Sequence, residues 1–295
     1  MRAISRNLSA AFAGLLLLTA CGQEQEPGPA HRSGGSACRT GFSSKPAASR
    51  APSAEETDGV SVTDVSGGPH QCAAYQVTNR GTEPFTYDVT FKLVADSGAS
   101  PESRSATVPS VGPGRTVTGS VSLTTDMSDA PEWSRVEVVK VRSVPVDEAP
   151  VEGGRCPSSG VRLYADDGDA AMGLRVVTLH LENCGTGTFR VDGYPRVSPL
   201  GEDHRPVNAV RVLHDGSSVA GSTGADGPPR PLALKPGERA YAGLVWRNTV
   251  LSGTPVNAPY VRVWAKPGVA PVMVTPELDL GTTGRMAVGP WKKGE

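Results

Sequence analysis

Between Phe85 and Leu93 apolar and polar residues alternate strictly: Phe85, Tyr87, Val89, Phe91 and Leu93 are separated by Thr86, Asp88, Thr90 and Lys92. This period of two predicts a strand with one buried and one wet face. Val117, Val121 and Leu123 repeat the pattern against Thr116, Thr118, Ser120 and Ser122. Val136-Glu137-Val138 and Val139-Lys140-Val141 each alternate, but the phase slips between them, which predicts a β-bulge. Val60–Val65 and Ala73–Val77 are shorter candidates, and Asn79-Arg80-Gly81 and Gly112-Pro113-Gly114 punctuate the series as turns. About six or seven short strands in roughly 90 residues predict an immunoglobulin-like sandwich over residues 58–148.

A second strand-rich stretch covers residues 155–295. Val176, Leu179 and Leu181 fall in one candidate strand and Phe189 and Val191 in the next; Ala240–Trp246 and Tyr260–Trp264 are two more. Asp215–Arg230, rich in Gly, Ser and Pro, reads as a long loop. The two stretches share signals in the same order. Asn79-Arg80-Gly81-Thr82-Glu83-Pro84-Phe85 and Asn183-Cys184-Gly185-Thr186-Gly187-Thr188-Phe189 both read N-x-G-T-x-x-F, and Val111-Gly112-Pro113-Gly114 parallels Leu234-Lys235-Pro236-Gly237. A strand, an Asn-Gly turn, a strand and a later Pro-Gly turn would serve both. Turn chemistry alone would also produce such matches.

The chain begins differently. Arg2 and Arg6 precede the apolar run Ala10–Leu18, which is short of the ~20 residues that span a bilayer and fits a secretory signal peptide over residues 1–20. Leu18-Thr19-Ala20-Cys21 resembles the bacterial lipobox, in which the cysteine thiol receives diacylglycerol and the signal is cut just before it. That resemblance implies lipidation at Cys21 and an anchor in the cell membrane on its extracytoplasmic face, where two acyl chains hold stably. Residues 21–57 then read as lipidated cysteine and disordered tether, with no apolar period. About 35 such residues have an end-to-end distance of roughly 30–35 Å. The fold class expected is therefore all-β, two immunoglobulin-like β-sandwich modules after a signal peptide and tether.

Composition narrows the function classes. Lys and Arg number 29 against 30 Asp and Glu, too even a balance for nucleic acid, which demands a basic face. Gly 35 and Pro 26 disfavour helix. Val and Ala fill the apolar positions and Ile4 is the one isoleucine, a bias that matches a genome rich in G and C.

Cys156, Leu181-Glu182-Asn183-Cys184-Gly185, Gly193-Tyr194-Pro195-Arg196-Val197 and Leu234-Lys235-Pro236-Gly237-Glu238-Arg239-Ala240, with the strand ending at Trp246, resemble the family called domain of unknown function 4232. Its members are secreted and lipid-anchored proteins of high-GC Gram-positive bacteria. The resemblance implies a β-sandwich with one disulfide and supplies no catalytic residues. Residues 58–148 resemble generic immunoglobulin-like modules of cell-surface proteins, with no distinctive motif.

Four cysteines besides Cys21 remain: Cys38, Cys72, Cys156 and Cys184. An exported chain meets oxidising conditions, and four cysteines allow three pairings. The expected pairs are Cys156–Cys184 and Cys38–Cys72; a free Cys38 in the tether is the alternative. Spacing gives no zinc site. No two of His31, His70, His180, His204 and His214 are spaced i, i+4 on a plausible helix, and no G-x-S-x-G elbow occurs. Asp166-Asp167-Gly168-Asp169 reads as a hairpin turn between Leu163 and Leu174 rather than a calcium loop. Trp133, Trp246, Trp264 and Trp291 read as sandwich core rather than a sugar platform, with Trp291 the most exposed candidate beside Lys292 and Lys293. No catalytic, cofactor or metal site is expected. The leading expectation is a non-enzymatic binding or adaptor lipoprotein for an envelope protein or polysaccharide. Its rivals are a solute- or metal-binding lipoprotein and a hydrolase assembled from scattered residues such as His204, Asp215 and Ser217.

Overall fold

The computed structural model describes residues 56–66, 71–97, 101–123 and 133–294; the expectations for the signal peptide, Cys21, Cys38 and the tether lie outside them. The described residues are all-β, with two single-turn 3-10 segments and no α-helix, and belong to one compact unit, Ala37–Glu295.

The first six strands are β1 (Val60–Ser66), β2 (Cys72–Thr78), β3 (Phe85–Ala95), β4 (Glu102–Val111), β5 (Thr116–Ser122) and β6 (Trp133–Pro145). They form two antiparallel sheets, β1-β2-β5 and β4-β3-β6. Both sheets close on one core, to which Tyr75, Val77, Val89, Phe91, Leu93, Leu123 and Trp133 contribute. The alternation of Phe85–Leu93 is realised as β3, whose Val89, Phe91 and Leu93 are buried while the residues between are half-exposed. The phase slip in β6 is a register shift: Thr90 pairs Lys140 and Phe91 pairs Val138, leaving Val139 bulged out and exposed. Strand β4 has no signal in the sequence. It is an edge strand, mostly polar and containing Pro109, so it carries little of the alternation that a buried face imposes.

The remaining strands are β7 (Val161–Ala165), β8 (Asp169–Ala171), β9 (Leu174–Asn183), β10 (Phe189–Val191), β11 (Arg196–Leu200), β12 (Arg211–His214), β13 (Leu232–Leu234), β14 (Arg239–Arg247), β15 (Asn257–Ala258), β16 (Tyr260–Trp264), β17 (Val272–Val274), β18 (Leu278–Asp279), β19 (Arg285–Val288) and β20 (Lys292–Lys293). The main sheet runs β12-β19-β14-β9-β7, with β8 beside β9 and β20 beside β14; β11-β16-β17 and β10-β13 close the other side of a second core. No strand pairing joins the two groups among the described residues. The loop before β13 is pinned to the outer face of the main sheet by buried Ala225. Added Cβ atoms on Gly216 and Gly243 would lie 2.7 Å from the Ala225 methyl, so these two glycines make its seat.

The shared motif is the same bonded unit in both groups. Asn79 and Asn183 are buried. Each accepts through Oδ1 from the glycine two residues on, at 2.8 Å from Gly81 and 3.1 Å from Gly185. Each donates from Nδ2 to the carbonyl four residues on, 2.8 Å to Glu83 and 2.8 Å to Gly187. The same amide donates to the carbonyl just before the Pro-Gly turn, Val111 at 2.8 Å and Leu234 at 2.7 Å. The peptide N–H groups of Gly114 and Gly237, both at positive φ (65° and 82°), donate to the carbonyls of Asn79 and Asn183. Register follows. Thr78 pairs Thr116 as Glu182 pairs Arg239, and Phe85 pairs Val111 as Phe189 pairs Leu234. One asparagine thus stitches two sheets and a turn in each half.

Two local expectations are corrected. The hairpin does not turn at Asp166–Asp169. β7 and β8 both pair with β9, and the chain reverses at Met172-Gly173. Asp166 instead bridges the gap between β7 and β8: its Oδ1 accepts from the N–H groups of Thr178 (2.8 Å) and Gly168 (3.1 Å). Glycine at 173 takes φ 79°, the left-handed geometry a tight reversal needs. Trp291 is fully buried rather than exposed. Its Nε1 donates to the Ala265 carbonyl at 3.0 Å, because β20 folds back along β14 and carries the lysines, not the indole, outward.

Candidate functional site

The Cys156–Cys184 disulfide is present, with Cα atoms 5.6 Å apart. It ties the approach to β7 to the end of β9, where Val161 pairs Asn183. Cys72 also takes part in a disulfide; Cys38, its expected partner, lies outside the described residues. His180 stacks on Tyr164 (centroids 5.0 Å apart) and its Nε2 is 3.6 Å from Asp166. Trp133 and Trp246 are buried like Trp291, and Trp264 is half-covered by the Arg196 guanidinium 4.2 Å from its ring centroid.

His204, Asp215 and Ser217 are not brought together. Asp215 caps its own turn, accepting from Ser217 N–H at 3.1 Å and Gly227 N–H at 3.4 Å. His204 sits between the two strand groups, its ring 5.7 Å from Phe85 of β3 and edge-on to Tyr260 of β16 at 4.6 Å. Its Nε2 is buried with no hydrogen-bond partner. Burial of the ring pushes its pKa below the usual histidine range and Arg262 adds to this, while the Ser143 backbone, Glu148 and Glu83 pull the other way. Among the described residues no group of three His, Cys, Asp or Glu is gathered as metal ligands would be.

That histidine belongs to a junction. Val144 of β6 packs with Leu200, Tyr260 and Met273 in a small apolar cluster. Arg142 of β6 makes a two-pronged contact with Glu277, Nε to Oε1 and Nη2 to Oε2, both 2.7 Å. Its Nη1 also reaches Glu202 at 3.3 Å. Burial alone would lower the Arg142 pKa, but Glu277 and Glu202 outweigh it and hold the guanidinium charged. The Ser143 N–H donates to the Tyr260 hydroxyl at 3.2 Å, and Arg262 Nε donates to Glu148 at 2.7 Å. Bidentate guanidinium–carboxylate pairs fix orientation as well as contact.

Above the junction lies a cleft of about 1060 Å³ with walls from both groups. One wall is the outer face of β3, β4 and β6: Thr86, Asp88, Thr90, Ser105, Thr107 and Lys140. The other carries Ala165–Ala170, Arg175, Trp246 and the segment Val274–Asp279. Eight carboxylates (Asp88, Glu152, Asp166, Asp167, Asp169, Glu202, Glu277, Asp279) face three cations (Lys140, Arg142, Arg175), a surplus of five negative charges. The cations are already engaged, Arg142 and Lys140 by Glu277 and Arg175 by Asp279. Asp279 is further held by Trp246 Nε1 at 2.7 Å and Asn248 Nδ2 at 3.1 Å. A concave wall with a net negative charge focuses potential towards an incoming cation. Hydroxyl-rich and acidic, the cleft suits a polar, positively charged ligand.

The sequence did not indicate this cleft, since its walls come from segments up to about 190 residues apart and only the junction juxtaposes them. Comparison with curated proteins finds no match. Residues 156–292, from Cys156 to the start of β20, match the family model described as Domain of unknown function (DUF4232).

Proposed function

We propose that the protein is an envelope lipoprotein, acylated at Cys21 and displayed on a tether, in which two immunoglobulin-like sandwiches act as a non-enzymatic binding module. The cleft between them is the ligand site, and it takes a polar, cationic ligand such as a basic peptide segment. The observation that carries this reading is a cleft built by both strand groups over a clamped junction, with a surplus of five negative charges. The repeated asparagine unit, with matching register in each group, supports a common sandwich plan.

The address and the site are tested separately. Metabolic labelling with a fatty-acid probe should mark the wild-type chain and leave Cys21→Ala unmarked; a labelled Cys21→Ala would overturn the anchor. Titration with oligolysine should show saturable binding that weakens with salt. Asp167→Asn with Asp169→Asn should cut that affinity by roughly tenfold or more, at about 1 kcal/mol or so per charge in a focused field. Equal affinity for the double variant would place the ligand elsewhere.

A further inference from the structure

Three exposed arginines stand in a row at one end of the main sheet. Arg211 of β12 is directly opposite Arg285 of β19. Arg247 of β14 follows Trp246, which pairs Met286, and so comes opposite Arg285 from the other side. Val212, Met286 and Trp246 face the core, so the three arginines share the outer face. Adjacent strands are about 4.8 Å apart, which puts three guanidinium stems across roughly 10 Å. Like charges directly opposite on a sheet cost stability. Among the described residues none of the three makes an ion pair that would relieve it. An anion brought from outside would compensate the arrangement.

The same end carries the most exposed large apolar side chains of the described residues: Met172, fully exposed, Leu251 at 75% and Val250 at 63%. Their loops are bound into one rim. Asn248 N–H donates to the Gly173 carbonyl at 2.9 Å, Leu251 N–H to Thr282 Oγ1 at 2.9 Å, and Thr282 N–H to the Thr249 carbonyl at 3.0 Å. Arg211 N–H donates to Gly284 of the same rim at 2.7 Å. The carboxylates nearest in the chain are engaged or turned elsewhere: Asp169 lines the cleft, Asp279 is held by Arg175, Trp246 and Asn248, and Asp215 caps its own turn.

We infer that this rim is a docking surface for an anionic lipid bilayer, the arginine row meeting the phosphate headgroups and Met172, Val250 and Leu251 entering the headgroup–acyl boundary. Phosphate alone would satisfy the arginines. It gives three exposed apolar side chains nothing, whereas a bilayer offers both charge and an apolar layer within a few ångströms. The surface is distinct from the cleft and does not depend on a lipid at Cys21.

The test uses the chain from Gly22 onward, which contains the whole compact unit Ala37–Glu295 and no acyl group. It should co-sediment with vesicles containing roughly one third phosphatidylglycerol and not with pure phosphatidylcholine. Each of Arg211→Gln, Arg247→Gln and Arg285→Gln should weaken partition about fivefold, and all three together about a hundredfold. Met172→Ser with Val250→Ser and Leu251→Ser should also abolish binding while leaving the melting temperature unchanged. Where a triple variant loses its fold, the single variants and the fall of wild-type binding with added salt decide. No vesicle binding, equal binding to neutral vesicles, or a retained affinity in the arginine variants would overturn the proposal. Binding that survives loss of the apolar rim and is competed by inorganic phosphate would overturn it too, in favour of a local phosphate site.

Discussion

At the residue scale, the two buried asparagines do the same work in different surroundings. An amide is the side chain that can both accept from a turn N–H and donate twice to carbonyls. Asp would keep the Oδ1 acceptor and lose both donations, leaving a charge beside the Val111 and Glu83 carbonyls or their counterparts Leu234 and Gly187. Asn79→Asp and Asn183→Asp should therefore each destabilise by about 2–4 kcal/mol, read as a drop in denaturant midpoint at constant slope. A loss below about 0.5 kcal/mol at either site would mean that the unit is not a structural stitch. These asparagines were legible, because N-x-G-T-x-x-F recurs. His204 was not, since nothing around it in the chain announces Phe85 or Tyr260. Its effect on stability has a definite sign. The unfolded chain binds the proton near pH 6.5 and the native state only at lower pH, so the contribution is complete above pH 6.5 and is lost as pH falls from there towards the native value. His204→Asn, which tolerates the positive φ of 58° at this position, should flatten that dependence in thermal melts. An unchanged slope would show that other groups set it.

At the element scale, the alternating strands were readable and the polar ones were not. β3 buries one face over its length, and that burial writes the period of two into the chain, whereas in β5 the alternation continues past burial, with Val121 buried and Val117 exposed. β4 lies at an edge, and β12, β19 and β20 are four residues or fewer, too short to establish a period. The main sheet's outer arginine row was hidden for the same reason: Arg211, Arg247 and Arg285 are neighbours only through register. β7 hangs on β9 alone and closes one side of that sheet. The Cys156–Cys184 bridge, with a separation of 28 residues, pins it there. Replacing both cysteines by Ser should cost about 3–4 kcal/mol in the chain-entropy model. Amide exchange should accelerate first in Val161–Ala165. Uniform acceleration across β14 as well would mean that the bridge supports the whole sheet rather than its edge.

At the scale of the whole molecule, the alternation predicts two modules, and the described residues form one compact unit in which the two strand groups meet at a junction. The junction combines a small apolar cluster with the Arg142–Glu277 pair, whose arginine side chain is only 13% exposed. Removing the Glu277 charge takes the two-pronged contact from Arg142, leaving it the longer, exposed contact with Glu202, and takes the counter-charge from Lys140, so Glu277→Gln should cost about 1–3 kcal/mol and widen the molecule in small-angle scattering. An unchanged scattering profile would mean that the apolar cluster suffices. None of this could be read from the sequence, because Arg142, Glu202 and Glu277 are ordinary surface residues until β6 meets β16 and β17. The central claim, that the cleft over this junction holds the ligand, is tested most directly by site-specific photocrosslinking in intact cells. A crosslinker at Ser105, exposed on the cleft wall, should capture a partner, and one at Thr118, exposed on the far sheet, should not. Capture from Thr118 alone, or from both positions equally, would contradict it.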